Sequence, residues 1–196
     1  GSDGFKILEK INSIINGRAI SIADAKRGDI GNSSKFYADA IFNFLEFDSI
    51  TVSPYMGLDS IEPFIQYKDK GIFVLCLTSN KGSEDFQMKI SNNKEIYKYV
   101  IDMAIKNNYN NNLGLVIGAT NKKYLKEIKS LSGNLPWLMP GVGFQGGDLK
   151  ESISIGEKNG IVIINVSRGI LNAGDRTIND IRKATKIYTE QIRAVL

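Results

Sequence analysis

Residues 19–31 read Ala19-Ile20-Ser21-Ile22-Ala23-Asp24-Ala25-Lys26-Arg27-Gly28-Asp29-Ile30-Gly31, an apolar run that changes abruptly into a charged one. The apolar half, 19–23, is typical of a buried strand, so we expect the charges to follow where that strand ends. Two carboxylates, Asp24 and Asp29, then flank the ammonium group of Lys26. A cluster of this kind can move a proton or repel an anion, and the stretch therefore predicts a functional site.

The same residues also fit a plain solvated turn after a strand. In that interpretation Asp29 or Ser33 accepts hydrogen bonds from backbone N–H groups as the cap of the next helix. Gly28 and Gly31 permit a tight turn in either case. A functional site is favoured over a plain turn because later strands of the chain also carry polar or glycine-rich sequences at their C-terminal ends.

Composition limits the classes of protein to consider. The chain has 196 residues, 42% hydrophobic and 23% charged, which is typical of one soluble globular domain with a substantial core. The net charge of +4 is mild and the basic residues are scattered, so we expect no nucleic-acid partner. No apolar run approaches the roughly 20 residues of a membrane-spanning helix, and we expect a cytoplasmic protein without membrane contact.

The rare residue types restrict the chemistry further. The chain contains no histidine, which excludes a Ser-His-Asp triad, a Cys-His pair and the usual zinc sites. Acid–base work must then fall to Lys, Asp, Glu or Tyr. The one cysteine, Cys76, lies inside the apolar run 72–77, which favours a buried core thiol over a nucleophile.

Short apolar runs alternate with helical patterns along the whole chain. Strands are predicted at 19–23, 49–53, 72–77, 113–117, 137–139 and 161–165, and helices at 5–15, from 33 or 34 onward, and at 59–67, 95–106, 121–131, 148–158 and 177–195. Strict alternation indicates parallel βαβ units and an α/β fold. Both (β/α)₈ barrels and open doubly wound sheets show this pattern, and both place their sites after the strands.

A glycine-rich segment follows the strand at 137–139. Gly141-x-Gly143-x-x-Gly146 formally matches the dinucleotide fingerprint, but the next strand ends in Asn165-Val166-Ser167-Arg168 instead of the expected acidic residue. A phosphate site fits better, because backbone N–H groups of the last two loops could bind phosphate together with Gln145 and Arg168. An ordinary surface ion pair remains the alternative for Arg168.

A polar segment, Thr78-Ser79-Asn80, follows the strand at 72–77. These side chains can hydrogen-bond the amide edge of a planar heterocycle. They are equally suited to capping the next turn, and the residues alone leave both possibilities open.

The motif from Asp24 to Ser33, with the later motifs in the same order, resembles the orotidine 5'-monophosphate decarboxylase family, most closely a bacterial subfamily. The resemblance implies a (β/α)₈ TIM barrel whose strands 3–8 are the six predicted here. It also implies decarboxylation of orotidine 5'-monophosphate to uridine 5'-monophosphate in pyrimidine biosynthesis, without metal or organic cofactor, by a homodimer.

The resemblance also implies roles for individual residues. Asp24, Lys26 and Asp29 would be catalytic, as members of a Lys-Asp-Lys-Asp charge network, and Ser79 would contact the pyrimidine. Asp29 and Ser33 would reach across a dimer interface into the partner's site. Gln145 and Arg168 would hold the 5'-phosphate, and the remaining substrate-binding positions would be Pro140, Gly146 and Gly169.

One departure from the family concerns the N-terminal side. The family's first network lysine and an aspartate that touches the ribose lie on its first two strands, whereas residues 1–5 align with the start of its second helix. We therefore expect residues 1–196 to form a single barrel domain that is incomplete at its N-terminus. Two alternatives remain, a Mg²⁺-dependent sugar-phosphate lyase or synthase of the same superfamily and a nucleotide-binding module without catalysis.

Overall fold

The computed structural model describes residues 1–141, 149–158 and 160–196. Strands and helices alternate in the predicted order, which confirms the α/β class. The strands are β1 (Ile22–Arg27), β2 (Ser49–Val52), β3 (Gly71–Leu77), β4 (Ile90–Ser91), β5 (Lys94–Glu95), β6 (Leu113–Ile117), β7 (Trp137–Pro140) and β8 (Val162–Asn165). The helices are α1 (Ser2–Ile15), α2 (Gly31–Asp39), α3 (Glu62–Ile65), α4 (Ile96–Asn107), α5 (Lys122–Ser132), α6 (Leu149–Gly156), α7 (Arg168–Leu171) and α8 (Ile178–Arg193).

The chain divides into two compact units, and the prediction of one domain over 1–196 stays a prediction. The first unit comprises residues 1–75 and 103–114. Its strands are parallel and lie in the order β1-β2-β3, with Ile22 opposite Ser49 and Ser49 opposite Gly71. Its large fully buried apolar residues include Ile50, Val52, Ile61, Phe64, Ile65, Ile72 and Val74.

Hydrogen bonds between the residues that directly precede β1 and β2 hold the N-terminal ends of these strands together. The Ser21 N–H and hydroxyl groups both donate to Asp48 Oδ2, each at 2.8 Å. The bond from the Ser21 backbone is the main reason that the pKa of Asp48 lies below its usual value. This contact fixes where β1 begins relative to β2.

The second unit comprises residues 76–102 and 115–196. Its strands β6, β7 and β8 are parallel neighbours, with Leu115 opposite Trp137 and Trp137 opposite Val162. Trp137 is fully buried and its indole N–H donates to Ser132 Oγ at 3.1 Å, so the aromatic core leaves no indole group unpaired. Cys76 is also buried, and burial raises the pKa of its thiol, which confirms the core role predicted for it.

Several predicted boundaries were wrong. The first strand covers Ile22–Arg27 and not 19–23, because pairing with β2 extends the strand through the charged residues. Helix α2 begins at Gly31, earlier than Ser33 or Ser34, and its N-cap Ile30 makes no side-chain cap. The helix predicted at 59–67 is a 3₁₀ turn, Leu58–Ser60, followed by the short α3.

Three small elements were not predicted: the hairpin of β4 and β5, the 3₁₀ turn Lys81–Asp85 and the four-residue helix α7. All three are too short to show a hydrophobic period, and so the sequence carries no signal for them. In the parts of the chain that the structure describes, no helix is both long and apolar enough to cross a membrane.

Candidate active site

The charged motif lies on a bulge of β1. Ala23 is opposite Ile50 and Arg27 is opposite Val52, so β1 advances four residues while β2 advances two. The extra residues leave the regular ladder between these two points. Lys26 takes up part of the excess with φ +48°, in the left-handed region that residues other than glycine seldom adopt. The predicted proton-moving lysine is therefore also a residue with unusual backbone geometry.

A buried threonine on β2 holds the bulge. The Lys26 N–H donates to Thr51 Oγ1 at 3.0 Å, and the Thr51 hydroxyl donates to Asp24 Oδ1 at 2.9 Å. The Lys26 ammonium group donates to the same Asp24 oxygen at 2.5 Å. The lysine is thus tied to Asp24 at its side chain and, through Thr51, at its backbone.

The Asp24–Lys26 pair remains open to a ligand. Its side chains are 62% and 51% exposed, respectively, although Thr51 behind them is fully buried. Ion pairs this exposed add little to folding stability. Thr51 is a functional candidate that sequence reasoning missed, and the available signal was the alternation of hydroxyl and apolar residues in Ser49-Ile50-Thr51-Val52-Ser53.

Asp29 lies beyond the end of β1 and makes a different contact. Its Oδ1 accepts the Ile30 N–H at 2.8 Å, and within the described residues Lys26 pairs with Asp24 and not with Asp29. Ser33 is exposed in the first turn of α2. Of the three predicted catalytic residues, the structure brings two together, and the predicted reach of Asp29 and Ser33 into a partner's site stays a prediction.

Ser79 belongs to the second unit, where it lies directly against Gly118. A Cβ atom on Gly118 would lie 2.6 Å from the Ser79 nitrogen and 2.8 Å from its Cβ. Only glycine leaves room for this approach, which fixes the distance between the segments that follow β3 and β6.

The residue before Ser79 is held on both sides. The Gln87 amide accepts the Thr78 N–H at 2.8 Å and donates to Thr78 Oγ1 at 2.9 Å. The Asn121 amide donates to the Thr78 carbonyl at 3.0 Å. The alternative role in capping does not hold for Asn80, which precedes the next 3₁₀ turn but makes no side-chain cap. The arrangement favours a fixed presentation of Ser79.

The residues predicted to bind phosphate are only partly described. Gln145 and Gly146 lie outside the described residues. Pro140 ends β7, and its carbonyl accepts the Ala119 N–H at 2.9 Å. Arg168 is exposed and begins α7, three residues after β8 ends, which is consistent with a phosphate ligand.

Gly169 has a packing reason to be glycine. A Cβ atom there would lie 3.0 Å from Cζ and 3.1 Å from Cε2 of the Tyr188 ring, on α8. The close approach of this ring explains the residue without a ligand, and its predicted role in substrate binding stays a prediction. Among the described residues, no three His, Cys, Asp or Glu side chains lie close enough together to hold a metal ion.

Comparisons with known proteins agree with one another over almost the whole chain. An orotidine 5'-phosphate decarboxylase of Dehalococcoides mccartyi is 49% identical over 199 residues, covering 98% of this chain and 73% of the relative. The solved structure of Leishmania donovani OMP decarboxylase is 38% identical, with a TM-score of 0.90 over 100% of this chain and 75% of that one. The structure of Leishmania donovani UMP synthase is 40% identical, with a TM-score of 0.91 over 100% of this chain and 43% of that one.

These likenesses settle the fold left open by the alternating pattern. The six long strands are those of a partial (β/α) barrel, as predicted, and not of an open doubly wound sheet. Residues 2–179 also match a family model described as the orotidine 5'-phosphate decarboxylase / HUMPS family. The chain belongs to the orotidine 5'-phosphate decarboxylase / HUMPS family.

Proposed function

We propose that this protein converts orotidine 5'-monophosphate into uridine 5'-monophosphate and carbon dioxide. The observation that carries the proposal is the exposed Asp24–Lys26 pair, held on a bulge by a buried hydroxyl, in a chain 49% identical to a decarboxylase of this name. The alternative is the reaction of a Mg²⁺-dependent sugar-phosphate lyase or synthase of the same superfamily.

The proposed reaction needs a proton donor and a source of repulsion. The bond from C6 of the pyrimidine to the carboxylate breaks, carbon dioxide leaves, and the electron pair remains on C6. Lys26 stabilises this developing charge and transfers an ammonium proton to C6, after which it regains a proton from water. Asp24, together with the partner's Asp29 in the dimer proposed below, disfavours the substrate carboxylate by like-charge repulsion, which raises the ground state relative to the transition state.

Binding energy away from C6 holds the reacting end in this unfavourable place. In the proposal, Arg168 and Gln145 bind the 5'-phosphate, assisted by Gly146 and Gly169. Ser79 contacts the amide edge of the pyrimidine near Pro140. The fixed position of Ser79 against Gly118 supports the assignment, because an amide edge is recognised only by a group held in place.

We propose in addition that the working enzyme is a homodimer in which Asp29 and Ser33 enter the partner's site. Asp29 suits this role because it follows the end of β1 and is not paired with the Lys26 of its own chain. Its carboxylate would then complete the charge network in the site of the partner subunit. Sedimentation velocity, with and without a uridine phosphate, tests the dimer.

The complete site would need residues beyond these 196. The chain spans about three quarters of the length of the first relative, 73%. Helix α1 leaves its apolar residues Phe5, Ile7, Ile11 and Ile14 about half exposed or more. We propose that an N-terminal extension of roughly 60–80 residues, about two βα units of a barrel with ~250 residues in eight, supplies the family's first network lysine and ribose aspartate.

Turnover assays test the proposed function. The 196-residue chain and a chain extended N-terminally are mixed with orotidine 5'-monophosphate, and its ultraviolet absorbance is followed with and without EDTA. We expect EDTA-resistant loss of the substrate in the extended chain. Activity on sugar phosphates that EDTA removes would instead indicate a Mg²⁺-dependent lyase or synthase, and binding of uridine 5'-monophosphate without turnover would indicate a nucleotide-binding module.

A further inference from the structure

Thr51 is the one group that contacts both members of the Asp24–Lys26 pair in the described structure. We infer that Thr51 is a positioning residue for the reaction, whose hydroxyl sets the backbone of Lys26 and the carboxylate of Asp24 so that the ammonium group faces the substrate. The inference rests on the proposed function, because it assigns Thr51 a role in the same site. It adds a residue to the network on the side away from the ligand.

The direction of both hydrogen bonds follows from chemistry. A backbone N–H can only donate, so the Thr51 oxygen must accept from Lys26. The single hydroxyl proton is then left for Asp24 Oδ1, a carboxylate oxygen that can only accept when ionised. The three groups form a directed chain, and loss of the hydroxyl would remove the acceptor of the Lys26 N–H and leave Asp24 Oδ1 with the Lys26 ammonium group as its donor.

The bulge explains why a side chain is needed here. The register of the parallel pair shifts between Ala23 and Arg27, and within this irregular segment the Lys26 N–H donates to the Thr51 side chain. The left-handed conformation of Lys26 is maintained only if its surroundings over-determine it. Thr51 supplies the acceptor that does so, from a fully buried position between Ile50 and Val52.

If Thr51 acted only through packing, two conservative variants would rank in the opposite order. Thr51→Val keeps the shape and the β-branch but removes the hydroxyl, whereas Thr51→Ser keeps the hydroxyl and removes a methyl group. In a fully buried strand, packing alone ranks Val above Ser. Positioning of the catalytic pair ranks Ser above Val, so catalysis and packing can be told apart.

The experiment measures kcat, KM and Tm for both variants in the N-terminally extended chain. We expect Thr51→Val to lower kcat about 100-fold, the effect of roughly 1 Å of misplacement, with KM within about threefold of wild type. Thr51→Ser should keep kcat within about fivefold even if its Tm is lower. Thr185→Val is the matched control, since the Thr185 hydroxyl bonds only the Ile181 carbonyl of its own exposed helix, and it should leave both constants unchanged.

Each remaining outcome counts against the inference. A Thr51→Val enzyme with kcat within threefold of wild type, or equal losses of kcat in the two variants, would show that the hydroxyl does not position the pair. If Thr51→Val does not fold, Thr51→Ala and Thr51→Ser give the same comparison, because they differ only by the oxygen. An N-terminally extended wild-type chain without turnover would refute the proposed function itself, which is a distinct result.

Discussion

Gly118→Ala tests whether Ser79 is a ligand contact held at a fixed distance. The added Cβ atom would lie 2.6 Å from the Ser79 nitrogen, 2.8 Å from its Cβ and 2.9 Å from its Cα. Ordinary contacts begin near 3.4 Å, so the two segments must separate by about 0.8 Å. Gly118 cannot simply retreat, because its own N–H donates to the Leu77 carbonyl at 2.8 Å.

The expected cost follows from that displacement. Forcing extra volume into packed backbone typically costs about 1–3 kcal/mol of stability. A lost hydrogen bond between Ser79 and the pyrimidine costs about 1 kcal/mol, or roughly a fivefold rise in Kd. We therefore expect weaker binding of uridine 5'-monophosphate and unchanged binding of ribose 5-phosphate, which lacks the base.

Calorimetric titration with the two ligands measures the difference. Gly4→Ala is the matched control, because a Cβ atom on Gly4 would have nothing within 4 Å. An equal loss for both ligands would mean that the substitution disturbs the fold and not the base contact. Unchanged affinity for both would refute the placement of Ser79 at the pyrimidine.

Three further substitutions test other parts of the account. Lys26→Ala should abolish decarboxylation but retain binding of uridine 5'-monophosphate, since positioned proton transfer is worth roughly 10²–10⁴-fold, and an enzyme keeping more than about a tenth of its activity would contradict this. Arg168→Ala should weaken binding of the nucleotide by about 1.5–3 kcal/mol and leave uridine unaffected in the same titration, whereas equal losses would mean a disturbed fold. Lys129→Met should raise the free energy of unfolding in urea at pH 7 by about 1 kcal/mol, because the Lys129 ammonium is buried without a hydrogen-bond partner in the described structure and an unsatisfied buried donor costs about 1–3 kcal/mol, partly offset by the Trp137 ring. Burial lowers the pKa of Lys129, so between its folded-state and unfolded-state pKa values the folded protein binds fewer protons than the unfolded chain. The difference in the free energy of unfolding between Lys129→Met and wild type should therefore narrow as the pH rises through that range. Lys126→Met, at an exposed lysine, should change neither the free energy of unfolding nor its pH dependence.

The alternation of strands and helices could be predicted because each buried strand is a short apolar run. The strand at 113–117 was located to the residue, since all five of its residues are buried, an Asn-rich tract precedes it and a glycine follows it. The first strand was not, because pairing with β2 carries it through Asp24 and Lys26, which a hydrophobic pattern excludes.

The contacts that make the site could not be predicted from the sequence. Thr51 meets Lys26 and Asp24 from 25 and 27 residues away, and these separations follow from strand register and a bulge, not from local pattern. The approach of Gly118 to Ser79 likewise joins two different strand ends. The resemblance to a family supplied the roles of residues, and the structure supplied the geometry between them.

In the proposed reaction, this protein releases the carboxylate of orotidine 5'-monophosphate as carbon dioxide and protonates C6 through Lys26. The most direct measurement uses substrate labelled with ¹³C at the carboxylate, incubated with the N-terminally extended chain and followed by ¹³C NMR. We expect labelled carbon dioxide and bicarbonate in an amount equal to the uridine 5'-monophosphate formed, with no release by the Lys26→Ala enzyme. Persistence of the labelled carboxylate in the presence of the wild-type protein, or equal release by the variant, would contradict it.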